Sequence, residues 1–435
     1  MKTKLSGRFW LALTLFSLIG QIAWVVENMY LNVFIYKMFN ASASDISAMV
    51  AASAVAATLT TVFVGALSDK IGKRKLFMCG GYILWGISIL GFIFIKNETV
   101  SLVFPMAVSA TVGVSLVIAL DCIMTFFGSS ANDAAFNAWL TDSTDETNRG
   151  AAEGINAMMP LVAILAVFGG FMAFDLDAPK SWSVIFAIIG GVVILVGIIG
   201  FFIIKEPELK PAESGYFRTV VHGFLPTTVR NNQSLYIYLA AFIIFNISIQ
   251  IFMPYLIIYY EVSLGMKDYV FVMAPAIILA SAVTALWGKV YDKKGFNISI
   301  IIALIWLMAG YVLLFFFTSA ALVFVGSLLM MCGYLAGMAV FGARIRALTP
   351  VGKSGMFQGV RIFSQVLVPG VVGPFIGKAV LANAEKIVNN DGTESCITNT
   401  NIFMAALAAI AVLSIFLLAF TKMLHKKSKE SNTQN

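Results

Sequence analysis

Charged residues are scarce in this chain. Of its 435 residues, 12% are charged and 60% are hydrophobic, and the mean hydropathy is +0.90. A soluble domain carries about 25% charged residues, so this chain has too little polar surface to cover a globule in water. The shortage of charge excludes an ordinary soluble protein and predicts one embedded in a lipid bilayer.

Residues suited to metal binding and catalysis are also few. The two histidines, His222 and His425, lie in predicted loops without partners, and no two of the four cysteines have metal-ligand spacing. The acidic stretch Asp142-x-x-Asp145-Glu146 has no second acidic cluster with which to form the metal site of a membrane transferase. We therefore predict that the protein is not an enzyme and uses neither a cofactor nor a metal.

The excess of basic residues is modest, with 29 Lys and Arg against 22 Asp and Glu. In a soluble protein this balance would raise the question of nucleic-acid binding. In a membrane protein the cytoplasmic loops collect Lys and Arg for topological reasons. We therefore expect the lipid bilayer, and not nucleic acid, to be the partner of these charges.

Long apolar runs are abundant, and there are twelve of them. They fall at 9–36, 45–66, 76–95, 102–140, 154–174, 182–204, 235–260, 270–287, 298–318, 320–343, 356–381 and 401–423. An apolar helix of about 20 residues crosses the hydrocarbon. The fourth run is too long for one span, so we expect a kink near Gly128. The pattern predicts an all-α polytopic membrane protein with twelve transmembrane helices, numbered 1 to 12.

The charges of the loops predict the orientation. When the twelve runs alternate in direction, 23 of the 29 Lys and Arg fall on the side of the N-terminus and 6 on the other side. Positive charge collects on the cytoplasmic side. We predict a multi-pass protein of the cell (plasma) membrane with both termini in the cytoplasm.

The longest predicted inner connection divides the chain into similar halves. Residues 1–204 hold six runs, residues 205–233 form a charged linker that contains prolines, and residues 234–435 hold six more runs and a short cytoplasmic tail. The expected organisation is two six-helix bundles joined by a cytoplasmic linker.

Two motifs recur at corresponding points of these halves. The motif G-x-x-x-D-x-x-G follows helix 2 and again helix 8. A second motif opens helices 5 and 11: it consists of a basic residue and, after it, two glycines that are four residues apart. The residues of the first motif are Gly65, Asp69 and Gly72, then Gly288, Asp292 and Gly295. The second motif begins at Arg149 and at Lys353. Two motifs repeated in register indicate an internal duplication and predict pseudo-symmetric bundles.

The repeated loop has the residue types of a turn that can hold the halves together. Gly72 supplies conformational freedom, and Asp69 can face a helix N-terminus, where the macrodipole stabilises an anion by about 0.3–1 kcal/mol. We expect this contact to break when the inner side opens. Lys73, Arg74 and Lys75 would hold the loop at the anionic inner leaflet. The alternative is a generic basic loop that only fixes topology.

These motifs resemble the signature loop of the major facilitator superfamily, in which a glycine, an aspartate four residues later and a glycine three further on are followed by bases. A narrower likeness lies in helix 1, from Gly20 to Asn28, and from Asp121 in helix 4 to Gly150. These stretches are similar to sucrose/proton symporters and to melibiose-type glycoside–cation symporters. The resemblance implies uptake of a small sugar together with a cation.

Helix 1 carries the strongest candidate binding site. Glu27 lies past the middle of the predicted span, where an ionisable group is costly and points to function, and burial favours the protonated carboxyl group that a proton carrier needs. Gln21, Trp24 and Asn28 recur beside it at helical spacing. We predict that this stripe binds substrate or cation. The alternative is a carboxyl group that serves packing or lies exposed at the outer mouth.

Helix 4 carries three further candidates. Asp121, halfway along the run, is a predicted ligand of the cation or substrate. Asp133, nearer the inner end, is a second predicted ligand, or else the structural ion-pair partner of an arginine. Asn132 can hydrogen-bond a polyol, or it can tie neighbouring helices together.

The second half contributes two polar pairs, each one helical turn apart. Asn246 and Gln250 lie on helix 7, which matches helix 1 by pseudo-symmetry, and their amides suit the binding of hydroxyl groups. Arg361 and Gln365 lie on helix 11. Arg361 can neutralise a cavity acid or extend to the inner interface.

The sequence therefore predicts a monomeric secondary transporter that binds a small-molecule substrate and a coupling cation, a proton or sodium, and works by alternating access. A sugar or glycoside is the expected cargo. The main alternative is an exporter of drugs or lipid-like amphiphiles by proton antiport, which would need a mostly apolar cavity. The residues leave the identity of the substrate, the coupling ion and the direction of transport open.

Overall fold

A computed structural model describes residues 5–144, 148–205, 221, 223–266, 268–349, 354–384, 386–388, 394–396 and 398–432. Within these residues the chain forms twelve long helices, α1 to α12. Their bounds are α1 Gly7–Phe39, α2 Ala43–Ile71, α3 Arg74–Gly91, α4 Met106 to Asp142, α5 Arg149–Phe171, α6 Pro179–Ile203, α7 Gln233–Ser263, α8 and α9 together Val270–Phe316, α10 Ala320–Leu348, α11 Ser354 to Leu381 and α12 Asn401–Asn432. The prediction of a polytopic all-α protein is confirmed.

The described chain contains few other elements. Two short helices, Asn97–Ser101 and Pro226–Asn231, lie in connections between long helices. Strands β1, Lys386–Val388, and β2, Glu394–Cys396, form a small antiparallel hairpin between α11 and α12. Of the described helices, eleven are long and apolar enough to cross a membrane, and α5 contains a shorter apolar stretch, Met158–Phe171.

Helices α8 and α9 are two separate apolar spans, as predicted, joined by a tight turn at Gly295. The chain is helical from Val270 to Phe316, and Gly295 alone leaves helical geometry, with φ 73° and ψ −177°. We take residues 270–294 as α8 and residues 296–316 as α9. Gly72 ends α2 with φ 69°, and its N–H donates to the carbonyl oxygen of Ser68 at 2.9 Å. Both motif glycines thus use the left-handed backbone that glycine adopts without strain.

Six long helices, α3 to α8, separate the turns at these two glycines, so with helices that alternate in direction the two turns lie on the same face. We call the face on which α1 begins and α12 ends the terminal face, and the other the opposite face. The side chains of Asp69, Asp292 and Arg149 lie outside the part of the structure that is described, so the proposed latch stays a prediction. At Gly288 a Cβ would meet nothing within 4 Å, so no close helix contact requires a glycine there.

The prediction that Arg74 contacts the inner leaflet is wrong. Its side chain is buried, its Nε donates to Asp142 Oδ2 at 3.0 Å, and its Nη1 donates to Ser68 Oγ at 2.6 Å. A planar guanidinium suits such fixed hydrogen bonds better than an ammonium group does. Arg74 therefore ties the start of α3 to the ends of α2 and α4.

Four long helices contain a π-helical segment. The segments are Val26–Tyr30 in α1, Ser129–Phe136 in α4, Tyr259–Ser263 in α7 and Phe363–Leu367 in α11. The segment in α4 begins beside Gly128, where the length of the apolar run predicts an irregularity. Such wide turns are frequent at functional sites, and all four occur in helices for which the sequence predicts ligand-binding residues.

Helices α9 and α10 pack with almost no space between their backbones. A Cβ added at Gly333 would lie 2.5 Å from the backbone nitrogen of Leu307 and 2.7 Å from the carbonyl oxygen of Ala303. Membrane helices use such small residues to approach each other closely, since lipid offers no hydrophobic drive for association. The contact fixes the position of α10, which contributes to the cavity described below.

Replacement of Gly333 by Ala should destabilise the protein. The added methyl group meets backbone atoms that cannot move aside, so we expect a loss of about 1–3 kcal/mol, measured as a lower Tm in detergent. The matched control is Gly342→Ala on the same helix, where a Cβ meets nothing within 4 Å and alanine is the better helix former. Equal Tm values for the two variants would contradict the close packing of α9 and α10.

Candidate functional site

A cavity of about 440 Å³ lies between the two halves of the chain. Helices α1, α2, α4, α5, α7, α8, α10 and α11 all contribute to its wall. Nine predicted binding residues line it, namely Gln21, Trp24, Glu27, Asn28, Asp121, Asp133, Asn246, Gln250 and Gln365. The structure thus brings together residues that lie on four helices of both halves and are far apart in the sequence.

Glu27 is held by α1 in the π-helical segment Val26–Tyr30. The residue is 6% exposed, and its Oε1 accepts a hydrogen bond from Thr125 Oγ1 at 2.8 Å. Among the described residues, Glu27 Oε2 has no hydrogen-bond partner. A buried polar atom without a partner is costly, so the hydrogen bonding of this carboxyl group is incomplete in this structure.

Asp121 on α4 is even more deeply buried, at 1% exposure. Its Oδ2 accepts a hydrogen bond from Ser53 Oγ of α2, and Ser53 Oγ lies 3.4 Å from Thr125 Oγ1. Within the described chain its Oδ1, like Glu27 Oε2, lacks a partner. Two carboxyl groups are therefore joined through two hydroxyl groups at the wall of the cavity.

Asp133 also lines the cavity, and its Oδ2 accepts from Ser129 Oγ at 2.9 Å within the π-helical segment of α4. No Lys, Arg or His is found among the described residues that line the cavity. Three acidic side chains without a basic one give the cavity a negative character. Such a site disfavours an anionic ligand and favours a cation or a proton.

Asn132 and Arg361 are not among the residues that line the cavity. The Asn132 side chain is 3% exposed, and its Nδ2 donates to the hydroxyl of Tyr82 at 2.7 Å. The indole N–H of Trp24 donates to Asn132 Oδ1 at 3.4 Å, and Tyr82 in turn donates to the carbonyl oxygen of Phe16. In this structure Asn132 ties α4 to α1 and α3, which is the packing alternative that the sequence left open.

The C-terminal half supplies amides and a phenol to the cavity. Asn246 and Gln250 of α7 and Gln365 of α11 line it, and Tyr334 of α10 lies on the same wall. Asn246 Nδ2 donates to the carbonyl oxygen of Phe242 at 2.8 Å. Amide and phenol groups both donate and accept hydrogen bonds, so this half can bind a polar ligand without attracting a charge.

Sequence reasoning missed Ser53, Thr125, Asn32 and Tyr334, which all line the cavity. Serine and threonine are common in membrane helices because they satisfy backbone carbonyls, so their presence carries no signal. The position of Thr125 one turn from Asp121 could have identified it, since residues four apart lie on the same helix face. Nothing local in the sequence marks Ser53.

Contacts join the two halves toward the opposite face. The Lys37 ammonium at the end of α1 forms an ion pair with Glu261 of α7, and it also lies 3.0 Å from Asp177 in its own half. The hydroxyls of Tyr30 and Tyr269 lie 2.8 Å apart. Because the Lys37 side chain is 7% exposed, opening this face must break a buried ion pair.

Replacement of Lys37 by Met should favour the state that is open to the opposite face. Loss of one partner of a buried ion pair costs about 3–5 kcal/mol, and here the cost falls on the closed state. A cysteine at Met253, a cavity residue of α7, can be labelled by a membrane-impermeant thiol reagent applied to the opposite face. With Cys396 replaced by Ser, we expect labelling to accelerate at least about tenfold.

The control for this variant is Lys96→Met, which removes the same charge from the same face of the first half without touching Glu261. It should label at the rate of the parent protein. Equal rates for both lysine variants would mean that the Lys37–Glu261 pair does not hold the face closed.

Comparison with known proteins relates this chain to membrane transporters. A family profile described as Major Facilitator Superfamily matches residues 9–374. No curated protein sequence matches the chain.

Several solved transporter structures are similar to this one. The nucleoside transporter NupG has a TM-score of 0.66 and 12% identity, with 95% of this chain and 98% of that chain covered. The xylose transporter XylE from E. coli, in a partially occluded inward open conformation, has a TM-score of 0.66 and 14% identity, with 94% and 97% covered. A bacterial homologue of the human lysosomal transporter Spinster, inward-facing and occupied, has a TM-score of 0.66 and 15% identity, with 96% and 98% covered. At these identities the similarity concerns the fold.

Proposed function

The chain belongs to the major facilitator superfamily and is a transporter rather than an enzyme, and from this premise we propose that it moves a small hydroxylated solute, a sugar or glycoside, in symport with a proton or sodium ion. The observation that carries the proposal is the cavity itself. Its wall joins a set of amides with two buried carboxyl groups, each of which presents an oxygen without a described partner.

The cargo is inferred from the donors and acceptors of the wall. The carboxyl groups of Glu27 and Asp121 belong to lining residues and accept hydrogen bonds, and the amides of Gln21, Gln250 and Gln365 both donate and accept. A neutral polyol presents several hydroxyl groups that satisfy such a wall. A site built to hydrogen-bond hydroxyls also rejects analogues that lack them, because its own polar groups would remain unpaired.

The coupling ion is inferred from the charges. Two buried carboxylates cannot both be ionised in an apolar interior without a counter-charge, since burial of each free ion costs several kcal/mol. No basic side chain lines the described cavity, so a proton or a bound cation has to remove at least one of the two negative charges. Solute transport is coupled to the ion if the solute and the ion are released only together.

Alternating access supplies the transport cycle. We propose that residues 1–204 and 234–435 are the two moving bundles and that residues 205–233 are the linker between them. The terminal face is proposed to be cytoplasmic, in the plasma membrane, because it carries most of the Lys and Arg. In this proposal the Lys37–Glu261 ion pair holds the outer side closed in one state, and the loops that carry Asp69 and Asp292 hold the inner side closed in the other. The monomer is proposed to contain the whole pathway.

A second candidate function is export of amphiphilic cations. It is favoured by the five methionines in the cavity wall, which are Met29, Met49, Met253, Met331 and Met338. Methionine adapts its shape and lines promiscuous binding surfaces, and the three acidic residues would attract a positive charge. Under this alternative the carboxyl groups exchange protons against the drug.

Replacement of Glu27 by Gln should abolish coupled accumulation. In proteoliposomes with an imposed pH or sodium gradient, the wild-type protein is expected to concentrate at least one member of a panel of sugars and glycosides. The amide that replaces the carboxyl group cannot release a proton or neutralise a cation, so Glu27→Gln is expected only to equilibrate the solute. Exchange of labelled for unlabelled solute, which needs no net ion movement, should persist.

The control is Glu98→Gln, which removes an exposed acid from the short helix Asn97–Ser101 and should accumulate solute as the parent does. Full gradient-driven accumulation by Glu27→Gln would contradict the coupling role of Glu27. Binding and transport of lipophilic cations by a protein that moves no sugar would support the export function instead.

A further inference from the structure

Glu27, Thr125, Ser53 and Asp121 form one continuous chain of polar side chains across three helices. We propose that the hydroxyls of Ser53 and Thr125 are a relay through which Glu27 and Asp121 share one transferable proton. The inference deepens the proposed function and rests on it for the role in transport, but the shared proton itself can be tested without a substrate.

The geometry of the relay is an unbroken series of contacts between oxygens. Glu27 Oε1 and Thr125 Oγ1 are 2.8 Å apart, Thr125 Oγ1 and Ser53 Oγ are 3.4 Å apart, and Ser53 Oγ is hydrogen-bonded to Asp121 Oδ2. Thr125 and Asp121 lie one turn apart on α4, while Glu27 and Ser53 come from α1 and α2. Thr125 and Asp121 are each 1% exposed, and Ser53 is partly buried.

A count of hydrogens shows why the series needs one proton. Each hydroxyl has a single hydrogen and can donate only once, so two hydroxyls supply two hydrogens for three oxygen–oxygen contacts. Thr125 can therefore donate to Glu27 or to Ser53, but not to both. A single carboxyl proton supplies the missing hydrogen and completes all three hydrogen bonds.

The completed chain has two equivalent arrangements. With the proton on Glu27, Glu27 donates to Thr125, Thr125 to Ser53, and Ser53 to the Asp121 carboxylate. When Glu27 passes its proton to Thr125 Oγ1, Thr125 passes its own to Ser53 Oγ, and Ser53 passes its own to Asp121 Oδ2. Each hydroxyl gains one proton and loses one, Asp121 ends protonated and Glu27 ends ionised, so the charge of the pair is unchanged.

Bound solute would decide which end of the relay holds the proton. The free oxygens Glu27 Oε2 and Asp121 Oδ1 belong to residues that line the cavity, and a hydroxyl group that donates to one of them stabilises negative charge at that carboxyl group. The other ionisable groups on the described wall are Asp133 and Tyr334, neither of which supplies a positive charge. The relay thus links the position of the solute to the position of the proton.

The test compares Thr125→Val, which keeps the shape of the side chain and removes the hydroxyl, with Thr125→Ser, which keeps the hydroxyl. In proteoliposomes we expect Thr125→Val to lose pH-driven accumulation by on the order of 10²-fold, as for a positioned proton-transfer group. Solute exchange at equal pH on both sides should fall much less than accumulation does, because exchange needs no net movement of protons. Thr125→Ser should retain both activities.

Two outcomes would overturn the relay. Normal pH-driven accumulation by Thr125→Val would show that the hydroxyl is not needed. Equal losses of accumulation and exchange in a variant that still folds would show that Thr125 only shapes the site. If Thr125→Val does not fold, Ser53→Ala is to be compared with Ser53→Thr in the same assays, with the same expectations.

Infrared spectroscopy of the purified protein without substrate separates this inference from the proposed function. The carboxyl C=O band of the shared proton should shift in Thr125→Val, because the carboxyl group loses its hydroxyl partner, and should keep its position in Thr125→Ser. An identical band in wild type and Thr125→Val would overturn the relay. Absence of any coupled uptake by the wild type, together with the expected band shift, would overturn the proposed function alone.

Discussion

A carboxylate inside a membrane protein needs a counter-charge or a proton, because its desolvation is not otherwise offset. Glu27 and Asp121 are both buried, they belong to different helices, and no basic side chain lines the described cavity beside them. The neighbouring elements position these two carboxyl groups and supply their hydrogen-bond partners. The π-helical segment of α1 carries Glu27, and Thr125 and Ser53 are the hydrogen-bond partners of the two carboxyl groups. Under the proposed function, the same requirement ties a neutral solute to an ion, because both would use the same two carboxyl groups.

At the opposite face a partly buried carboxylate also needs a counter-charge, and there a lysine supplies it. Glu261 lies in the π-helical segment of α7, as Glu27 lies in that of α1, but Glu261 has the Lys37 ammonium as its partner. Lys37 also contacts Asp177 of its own half, so its charge keeps a partner when the halves separate. Glu261 then meets water. In the proposed cycle, opening would break one buried ion pair without leaving an isolated charge in the apolar interior, which would keep the two states close enough in free energy to interconvert.

The sequence predicts the parts of this structure that depend on local pattern. Long apolar runs define the helices, and the excess length of the fourth run predicts its irregularity at Ser129. Isolated polar residues such as Glu27 and Gln250 identify the cavity wall, because polar groups in a membrane protein are placed only where they find partners. The features it does not predict depend on contacts between distant residues. Arg74 carries the same charge as its neighbours in the sequence, yet it is buried against Asp142. Asn132 is as polar as Asn246, yet it packs against Tyr82. Lys37 and Glu261 are 224 residues apart, and no local pattern relates them.

The central claim is that a neutral solute moves together with the single positive charge that the Glu27–Asp121 pair takes up. The most direct measurement is the ratio of charge to solute, obtained from the current and the labelled solute that enter the same proteoliposomes under an imposed membrane potential. The account predicts one elementary charge for each solute molecule, moving inward with it, and loss of the current in Glu27→Gln. Solute uptake without any current, or a current that flows out as solute enters, would contradict it.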